Sequence, residues 1–316
     1  MHYSQLLVFG SIAQDEIMIF PGKFSDHLEK DDLDKVNAFF LVENLYKAFG
    51  GIATNICYNI SLLSSKKVRI LGGIGGDGKD LLEFYHKNNI DTTYLQQSIE
   101  VYTGAFRGIS DQNQNQIGGF YYGSNSLSKN IILKEIPDWQ TSLLILSSNE
   151  PTAFYEILEQ AINLKMNFMF DPGMAITWIL PEKLKAGIDS CKYLIANDYE
   201  MMQIWKLTGY TEDDLIKKNK IVITTKGSKG VRFVSSEESY ELPAFPIKDF
   251  VDPTGGGDAF RGGFCAALMD GLDTKTSLGW GSVMGSKAVE TKGAVGHTIT
   301  KEEFQTRLDF ILANSN

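Results

Sequence analysis

The chain has 316 residues, with 30 Lys and Arg against 39 Asp and Glu, a net charge of −9, 43% hydrophobic residues and only 8 prolines. This composition is typical of a globular protein and excludes the collagen-like, coiled-coil and largely disordered classes. A chain of this size buries roughly 75% of the surface that its unfolded form exposes, which is enough for one large core or for one core with a smaller satellite.

Net charge, hydropathy and cysteine spacing argue against further classes of protein. The net negative charge and the lack of clustered basic residues argue against a nucleic-acid partner. The N-terminal sequence MHYSQLLVFGS lacks the basic region of a signal peptide, and no stretch approaches the ~18 apolar residues of a membrane span. Cys57, Cys191 and Cys265 are far apart in sequence and form no CxxC pair, so we expect reduced core thiols in a cytoplasmic protein.

Short apolar runs that end at a glycine or a polar residue recur along the chain and predict buried strands. The runs are residues 6–9, 68–71, 143–146, 168–170, 193–196 and 221–223. Segments with helical spacing lie between them, such as Ile52, Ile56 and Ile60. Strands without alternation, separated by amphipathic helices, indicate an α/β fold with a mainly parallel sheet covered by helices on both faces.

Polar residues follow several of these runs. They are Asp15, Asn149, Asp171, Asn197 and Thr225. Because ligands of open α/β sheets bind outside the carboxyl ends of the strands, these residues are candidates for a binding site. The alternative is that Asn and Asp end strands only because they favour turns.

Residues 16–45 and 98–124 interrupt the alternation of strands and helices. Neither range has a clear helical period, and the second predicts a hairpin with DQNQNQ as its turn. A β-rich insertion of this kind predicts a lid over the site, although a surface sheet without such a role is the alternative. The predicted division is therefore an α/β body that binds nucleotide and substrate, at 1–15, 46–97 and 125–316, and a β lid at 16–45 and 98–124.

Residues 73–78 read GIGGDG after a predicted strand and match the dinucleotide-binding pattern GxGxxG. With Lys79 and Asp80 they also approach a Walker A loop. Asp77 would place a carboxylate among amides that should face phosphate, and Asp80 replaces the hydroxyl that should meet Mg²⁺. An NAD oxidoreductase or a P-loop enzyme is therefore disfavoured, and a tight glycine turn near a polar ligand is the better interpretation.

The segment DPTGGGDAFRGGF, residues 252–264, carries the strongest chemical signal. Three glycines precede a helical pattern, and a helix start exposes unpaired N–H groups that a phosphate can approach closely across glycines. Asp258 stands at the same helix start, where it can take a proton from a hydroxyl that attacks phosphorus. The alternative is an ordinary Asp that caps the helix.

At this point the chain resembles the PfkB carbohydrate kinase family, the ribokinase-like group. The family's DTxGAGDxF pattern resembles residues 252–260, and its N-terminal glycine signature resembles FGGIATN at 49–55. Its GSxxxD, NxxE and nucleotide-loop patterns resemble residues 10–15, 197–200 and 224–230. These motifs occur in the family's order across nearly the whole chain. The resemblance implies a ribokinase-like three-layer fold with a small β-sheet lid, and an ATP-dependent phosphotransferase.

The resemblance also implies roles for individual residues. Asp258 would be the catalytic base, with Gly255, Gly256 and Gly257 as the anion hole. Acceptor hydroxyls would be bound by Asp15, Gly51 and Asn55, and Gly50 and Gly51 would form a hinge for lid closure. The ATP site would be lined by Asn197, Glu200, Thr225, Lys226, Gly227, Gly230, Gly293 and Ala294, the last two near the adenine. Asn197 and Glu200 would also organise Mg²⁺ through its waters, which is compatible with their being a helix cap and its box partner.

Two positions depart from the family pattern. Pro253 occupies the place of a Thr and removes a hydroxyl and an N–H, so any contact made there is in question. Asp80 stands where the family usually has Gly. Neither residue is the proposed base.

Within the family the chain looks most like the adenosine kinase branch of bacterial members. The cues are FPGKFSDHL at 20–28, VNAFFLV at 36–42 and Arg261 after GDAF. A nucleoside base needs a stacking partner, which Phe106, Phe120 or Phe39 would supply unless these rings only pack the lid.

The implied reaction transfers the γ-phosphoryl group of ATP to a hydroxymethyl group, with the 5′-hydroxyl of adenosine as first choice and AMP as product. A sugar such as ribose or fructose is the alternative acceptor. A non-catalytic nucleoside-binding protein is the alternative from another class, and the presence of Asp258 argues against it. The sequence leaves open whether the protein is a monomer or a homodimer and whether it needs a monovalent cation.

Overall fold

A computed structural model describes residues 3–28, 38–113 and 115–315. The strands are β1 (Leu6–Phe9), β2 (Ala13–Ile19), β3 (Asn44–Gly50), β4 (Val68–Leu71), β5 (Gly73–Gly75), β6 (Ile90–Asp91), β7 (Gln96–Ser98), β8 (Ala105–Ser110), β9 (Gln116–Tyr121), β10 (Leu143–Ser147), β11 (Asn167–Asp171), β12 (Tyr193–Asn197), β13 (Ile221–Thr225), β14 (Val231–Val234) and β15 (Ser239–Leu242). The α-helices are α1 (Ile52–Leu63), α2 (Lys79–Lys87), α3 (Pro151–Asn163), α4 (Pro181–Ser190), α5 (Asp198–Thr208), α6 (Glu212–Lys217), α7 (Gly256–Met269), α8 (Thr274–Ala288) and α9 (Lys301–Ala313).

The main sheet is parallel except at one edge. Within the described residues it has nine strands in the order β15-β14-β13-β12-β11-β10-β1-β4-β6. All neighbouring pairs from β13 to β6 are parallel, whereas β14 and β15 are added antiparallel. The predicted mainly parallel sheet is confirmed, because fully buried strands need no alternation of polar and apolar residues.

Helices cover both faces of this sheet. In β1, Leu6 and Val8 join one hydrophobic core, whereas Leu7 and Phe9 join the other. Side chains of α1, α2, α7, α8 and α9 pack into the first core, and those of α3 to α6 pack into the second. The three cysteines are buried and unpaired. In the described part of the chain, each helix is too short or too polar to cross a bilayer.

A second, four-stranded sheet has the order β3-β2-β8-β9. The predicted hairpin is confirmed as the antiparallel pair β8 and β9, and β2 joins β8 in parallel and β3 in antiparallel orientation. This sheet includes residues 13–15 and 46–50, which the predicted division assigned to the body. That division stays a prediction, and its residues 29–37, which include the first two residues of the VNAFFLV run, lie outside the described residues.

Glycines let α7 approach its neighbours at backbone distance. A Cβ added at Gly262 would lie 2.5 Å from the Cβ of Asn59 in α1. One added at Gly263 would lie 2.6 Å from the carbonyl oxygen of Trp280 in α8. The position of α7 against both helices therefore depends on the absence of side chains at these two residues.

Gly263→Ala is expected to lower the free energy of unfolding by about 1–3 kcal/mol. The added methyl group would clash with the carbonyl oxygen of Trp280, and this oxygen cannot shift without moving α8. Gly119→Ala in β9 is the matched control, since a Cβ there has no neighbour within 4 Å. The control should change stability by less than ~0.5 kcal/mol. Denaturant unfolding of both variants measures the difference, and equal stabilities would contradict the packing argument.

Candidate active site

The carboxyl ends of the parallel strands bring several polar residues together. The strand register pairs Asn197 with Thr225 and Ser147 with Asp171. Beyond β10, the amide of Asn149 donates from Nδ2 to the carbonyl of Gly10 at 3.0 Å. The predicted position of these residues at the carboxyl ends of the strands is therefore confirmed, and their role in a binding site stays a prediction. The exception is Asp15, which lies inside β2 of the small sheet because the chain leaves the main sheet after β1.

The start of α1 is fixed against the end of β1. The carbonyl of Ser11 accepts from the amide of Ala53 at 3.0 Å, and its hydroxyl accepts from the amide of Ile52 at 3.2 Å. Gly51 precedes the helix with φ of 86°, and a Cβ there would lie 2.4 Å from the carbonyl oxygen of Ser11. Only glycine fits this position, which places Asn55 one turn into the helix.

The start of α7 offers unpaired backbone amides. Gly255 is the N-cap with a left-handed φ of 79°, and a Cβ there would lie 2.5 Å from the Cβ of Ala294. Among the described residues the amides of Gly257 and Asp258 have no acceptor, whereas the Gly256 amide donates to the carbonyl of Pro253 at 3.3 Å. Unpaired amides at the positive end of a helix dipole form an anion-binding site.

Asp258 and Asn55 join the two helix starts. Asn55 Nδ2 donates to Asp258 Oδ2 at 2.8 Å. Burial raises the pKa of Asp258 to about 6, against the opposing effects of Arg261 and the Asn55 hydrogen bond. The carboxylate is thus ionised at neutral pH and is a stronger base than an exposed Asp. Asn55 Oδ1 is buried without a hydrogen-bond partner among the described residues, so it is available to accept from a hydroxyl.

Asp15 is another carboxylate whose pKa is raised. It is partly buried, and burial raises its pKa to about 6. A Cβ at Gly50 would lie 2.4 Å from Asp15 Oδ2, so the glycine allows the carboxylate to lie against the neighbouring backbone. The register pairs Asp15 with Ala48 in β3 and with Phe106 in β8.

The loop at 291–296 contacts both the start of α7 and the small sheet. Asp252 accepts from the amides of Thr254 and Gly293, each at 2.9 Å. A Cβ at Gly293 would lie 3.9 Å from the Cβ of Ala48, and Ala294 lies against Gly255 as described above. The structure thus brings these two residues to the start of α7, and their predicted contact with adenine stays a prediction.

The predicted nucleotide loop forms the turn between β13 and β14. Gly227 and Gly230 have φ of 56° and 92°. A Cβ at Gly230 would lie 1.9 Å from the carbonyl of Leu242, whereas one at Gly227 would have no neighbour within 4 Å. Lys226 Nζ forms an ion pair with Glu241 of β15 at 3.2 Å. Gly230 is therefore needed for packing, and Gly227 leaves open space at the turn.

Asn197 and Glu200 form the predicted capping box at the start of α5. Asn197 Oδ1 accepts from the Glu200 amide at 2.8 Å, and Glu200 Oε2 accepts from the Asn197 amide at 2.9 Å. Burial, and then Asp171, raise the pKa of Glu200. In the described residues no group of three or more His, Cys, Asp and Glu could hold a metal ion. Glu200 Oε1 has no hydrogen-bond partner among the residues that the structure describes. One such oxygen suits Mg²⁺, which keeps several waters and takes most other ligands from substrate phosphates.

The GIGGDG segment has a structural explanation. Asp77 Oδ1 accepts from both the amide and the hydroxyl of Thr103 at 2.7 Å. A Cβ at Gly73 would lie 1.8 Å from the carbonyl oxygen of Ser124. These glycines allow close backbone packing, which explains them without a ligand, and the predicted approach to a polar ligand stays a prediction.

Sequence analysis missed a buried ion pair beneath the site. Arg261 in α7 donates from Nη2 to Asp171 Oδ1 at 2.5 Å, and Ser147 Oγ donates to Asp171 Oδ2 at 2.7 Å. The signal was an arginine within the small and apolar residues of DAFRGGF, which predicts a buried charge that needs a partner.

Comparison with known proteins identifies the family. The pfkB family carbohydrate kinase profile matches residues 14–301, so the chain belongs to this family and is a phosphotransferase. It is 27% identical to a nucleoside kinase of Methanocaldococcus jannaschii, over 86% of this chain and 89% of that protein. It is 24% identical to a ribokinase of Bacillus subtilis, over 82% and 87% of the two chains. The structure of a Burkholderia thailandensis nucleoside kinase in complex with inosine has a TM-score of 0.84, 28% identity and coverage of 96% and 97%. The predicted ribokinase-like fold is thereby confirmed.

Asp258→Asn is expected to stabilise the protein at pH 7.5 but not at pH 4. The pKa of Asp258 is raised above its ordinary value of 3.8, so its ionisation lowers the free energy of unfolding progressively between about pH 4 and pH 6. The amide removes this cost and still accepts from Asn55. Thermal unfolding of both proteins at the two pH values measures the effect, and an equal change in Tm at both would contradict the burial argument.

Proposed function

We propose that the protein is an ATP-dependent nucleoside kinase that phosphorylates the 5′-hydroxymethyl group of a nucleoside, with adenosine as the first candidate. The observation that carries the proposal is a row of side chains across the small sheet. Asp15, Phe106 and Phe120 occupy facing positions on β2, β8 and β9, so they share one face. A carboxylate beside aromatic rings suits a molecule that has vicinal hydroxyls at one end and a planar base at the other.

Phe106 has the surroundings of a stacking platform. Cβ atoms added at Gly108 and Gly118 would lie 2.9 and 2.8 Å from its ring carbons, so the ring rests on bare backbone of two strands. Its orientation is thereby fixed while it stays partly exposed. Phe120 is 44% exposed on the same face. Phe39, the third predicted candidate, is 88% exposed and lies before β3, so the described structure gives it no such support.

The proposed chemistry follows from the two helix starts. Ionised Asp258 accepts the proton of the acceptor hydroxyl, while Asn55 orients the carboxylate and offers Oδ1 to the acceptor. The unpaired amides of Gly257 and Asp258 stabilise negative charge on the transferring phosphoryl group. Asn197 and Glu200 would hold Mg²⁺ through its waters. When bound with ATP, Mg²⁺ would neutralise charge on the phosphates.

The relatives support this substrate class. Solved structures of the Burkholderia thailandensis nucleoside kinase include complexes with inosine and with ADP-inosine. Because a ribokinase is also among the relatives, ribose or another sugar is the alternative acceptor that the assay must separate. The choice of adenosine rests on the resemblance to the adenosine kinase branch. A cytoplasmic location, and the choice between monomer and homodimer, stay predictions of the sequence.

The first test measures ADP release with ATP, Mg²⁺ and one acceptor from a panel of adenosine, inosine, cytidine, ribose and fructose. We expect turnover with at least one nucleoside and a higher kcat/KM for it than for either sugar. Asp258→Asn should lower kcat by about 10²-fold or more while ATP binding survives. Wild-type turnover in this variant, or activity on sugars alone, would reject the proposal.

The second test removes the stacking platform. Phe106→Ala should raise KM for the preferred nucleoside by about 10-fold or more and leave the weaker activity on ribose nearly unchanged, because only the nucleoside has a base to stack. Tyr121→Ala is the matched control, since Tyr121 is an exposed aromatic residue of the same sheet that faces the other side. An equal rise in KM for both acceptors, or the same effect in the control, would show that Phe106 does not stack on the base.

A further inference from the structure

Arg261 lies three residues after Asp258, on the same face of α7. Its side chain is buried, with the residue only 6% exposed. Nη2 donates to Asp171 of β11, which is 1% exposed and also accepts from Ser147 of β10. A buried charge persists only when it is paired, so this chain of contacts fixes the guanidinium beneath the start of α7.

A second nitrogen of Arg261 lies beside the proposed anion hole. A Cβ added at Gly257 would lie 2.9 Å from Arg261 Nη1, so the guanidinium lies against the backbone that carries an unpaired amide. Nε is buried and has no hydrogen-bond partner among the described residues. The ion pair with Asp171 therefore uses only part of the donor capacity of this arginine.

Negative and positive groups both act on Asp258. Asp171 of β11 and Glu200 of α5 both act on it as negative charges. Helix α1 presents the neutral Asn55, and Gly256 at the start of α7 lies against Gly285 of α8 and against Val289, the residue that caps α8. The positive charge of Arg261 opposes the effect of these carboxylates on Asp258.

We propose that Arg261 is a positioning residue for phosphoryl transfer: held by Asp171, it supports the Gly257 turn and keeps Asp258 ionised at neutral pH in a site lined by other carboxylates. This inference rests on the assignment of Asp258 as the base. A purely structural role for the ion pair would predict no change in the pKa of Asp258. The proposed role predicts a change of opposite sign for the loss of Arg261 and for the loss of Asp171.

Opposite effects are expected from the two partners. Loss of the Arg261 charge removes attraction for the ionised form and raises the pKa of Asp258, so activity falls at a higher pH than in the wild type. Loss of the Asp171 charge removes repulsion and lowers that pKa, so activity persists to a lower pH. A structural defect would lower activity at every pH without moving the profile.

The experiment measures kcat/KM for the preferred acceptor against pH, at saturating ATP and Mg²⁺. Arg261→Met, similar in length but uncharged, should move the acidic limb upward by about one pH unit or more. Arg261→Lys keeps the charge and should restore the limb close to the wild-type position. Asp171→Asn should move the limb downward. An unmoved limb in Arg261→Met, or movement of both single variants in the same direction, would overturn the proposal.

Arg261→Met leaves the charge of Asp171 buried and unpaired, so this variant could fail to fold. A double variant is therefore the control for a folding defect. The double variant Arg261→Met with Asp171→Asn removes both charges and should retain the fold, with an upward shift smaller than that of Arg261→Met. Circular dichroism and ADP binding check each protein. If Asp258→Asn retains wild-type turnover, the proposed function fails. If Asp258→Asn is inactive and the double variant keeps the wild-type profile, only the role of Arg261 fails.

Discussion

The hydrogen bond between Asn55 and Asp258 joins the starts of two helices at the carboxyl edge of the sheet. Each helix reaches this point through a glycine in a left-handed or otherwise positive φ conformation, Gly51 before α1 and Gly255 before α7. Both glycines lie so close to neighbouring atoms that a side chain would push the helix away. The Asp258 carboxylate, which is the proposed base, the unpaired amides and Oδ1 of Asn55 therefore lie close together, because two backbones pack without side chains between them.

The same arrangement connects the main sheet to the small one. Strand β1 ends at Phe9 and β2 begins at Ala13, while β3 ends at Gly50, two residues before α1. Asn125 holds the first connection, since its side chain accepts from the amide of Ile12 and donates to its carbonyl. Any tilt of the small sheet would therefore move Asp15 relative to Asn55, and under the proposed roles of these two residues it would link lid position to the binding of acceptor hydroxyls.

The buried carboxylates at this edge lower the stability of the fold when they ionise, but burial also makes them stronger bases. Burial raises the pKa of Asp15, Asp258 and Glu200, so each carboxylate costs free energy when it ionises in the folded protein. Arg261 reduces this cost at Asp258, with its position fixed by Asp171. A phosphotransferase benefits from the remaining cost, since a carboxylate that is harder to ionise is a better proton acceptor.

The sequence alone was sufficient for features that depend on neighbouring residues. Apolar runs predict the parallel strands, because burial on both faces requires consecutive hydrophobic residues. The triplet 255–257 predicts a helix start, and Asn197 with Glu200 predicts a capping box, because both are local backbone geometries. The family signatures extended this reading to a fold and an enzyme class.

Tertiary structure decided the rest. The bonded pair Asn55 and Asp258 is separated by 203 residues, and Arg261 lies 90 residues from Asp171. The shared face of Asp15 and Phe106 depends on a strand register that a shift of one residue would reverse. The glycine pattern of GIGGDG does not reveal that Gly73 packs against the backbone of Ser124, which is distant in sequence. Contacts of this kind arise from packing of whole elements, and no local pattern of residues encodes them.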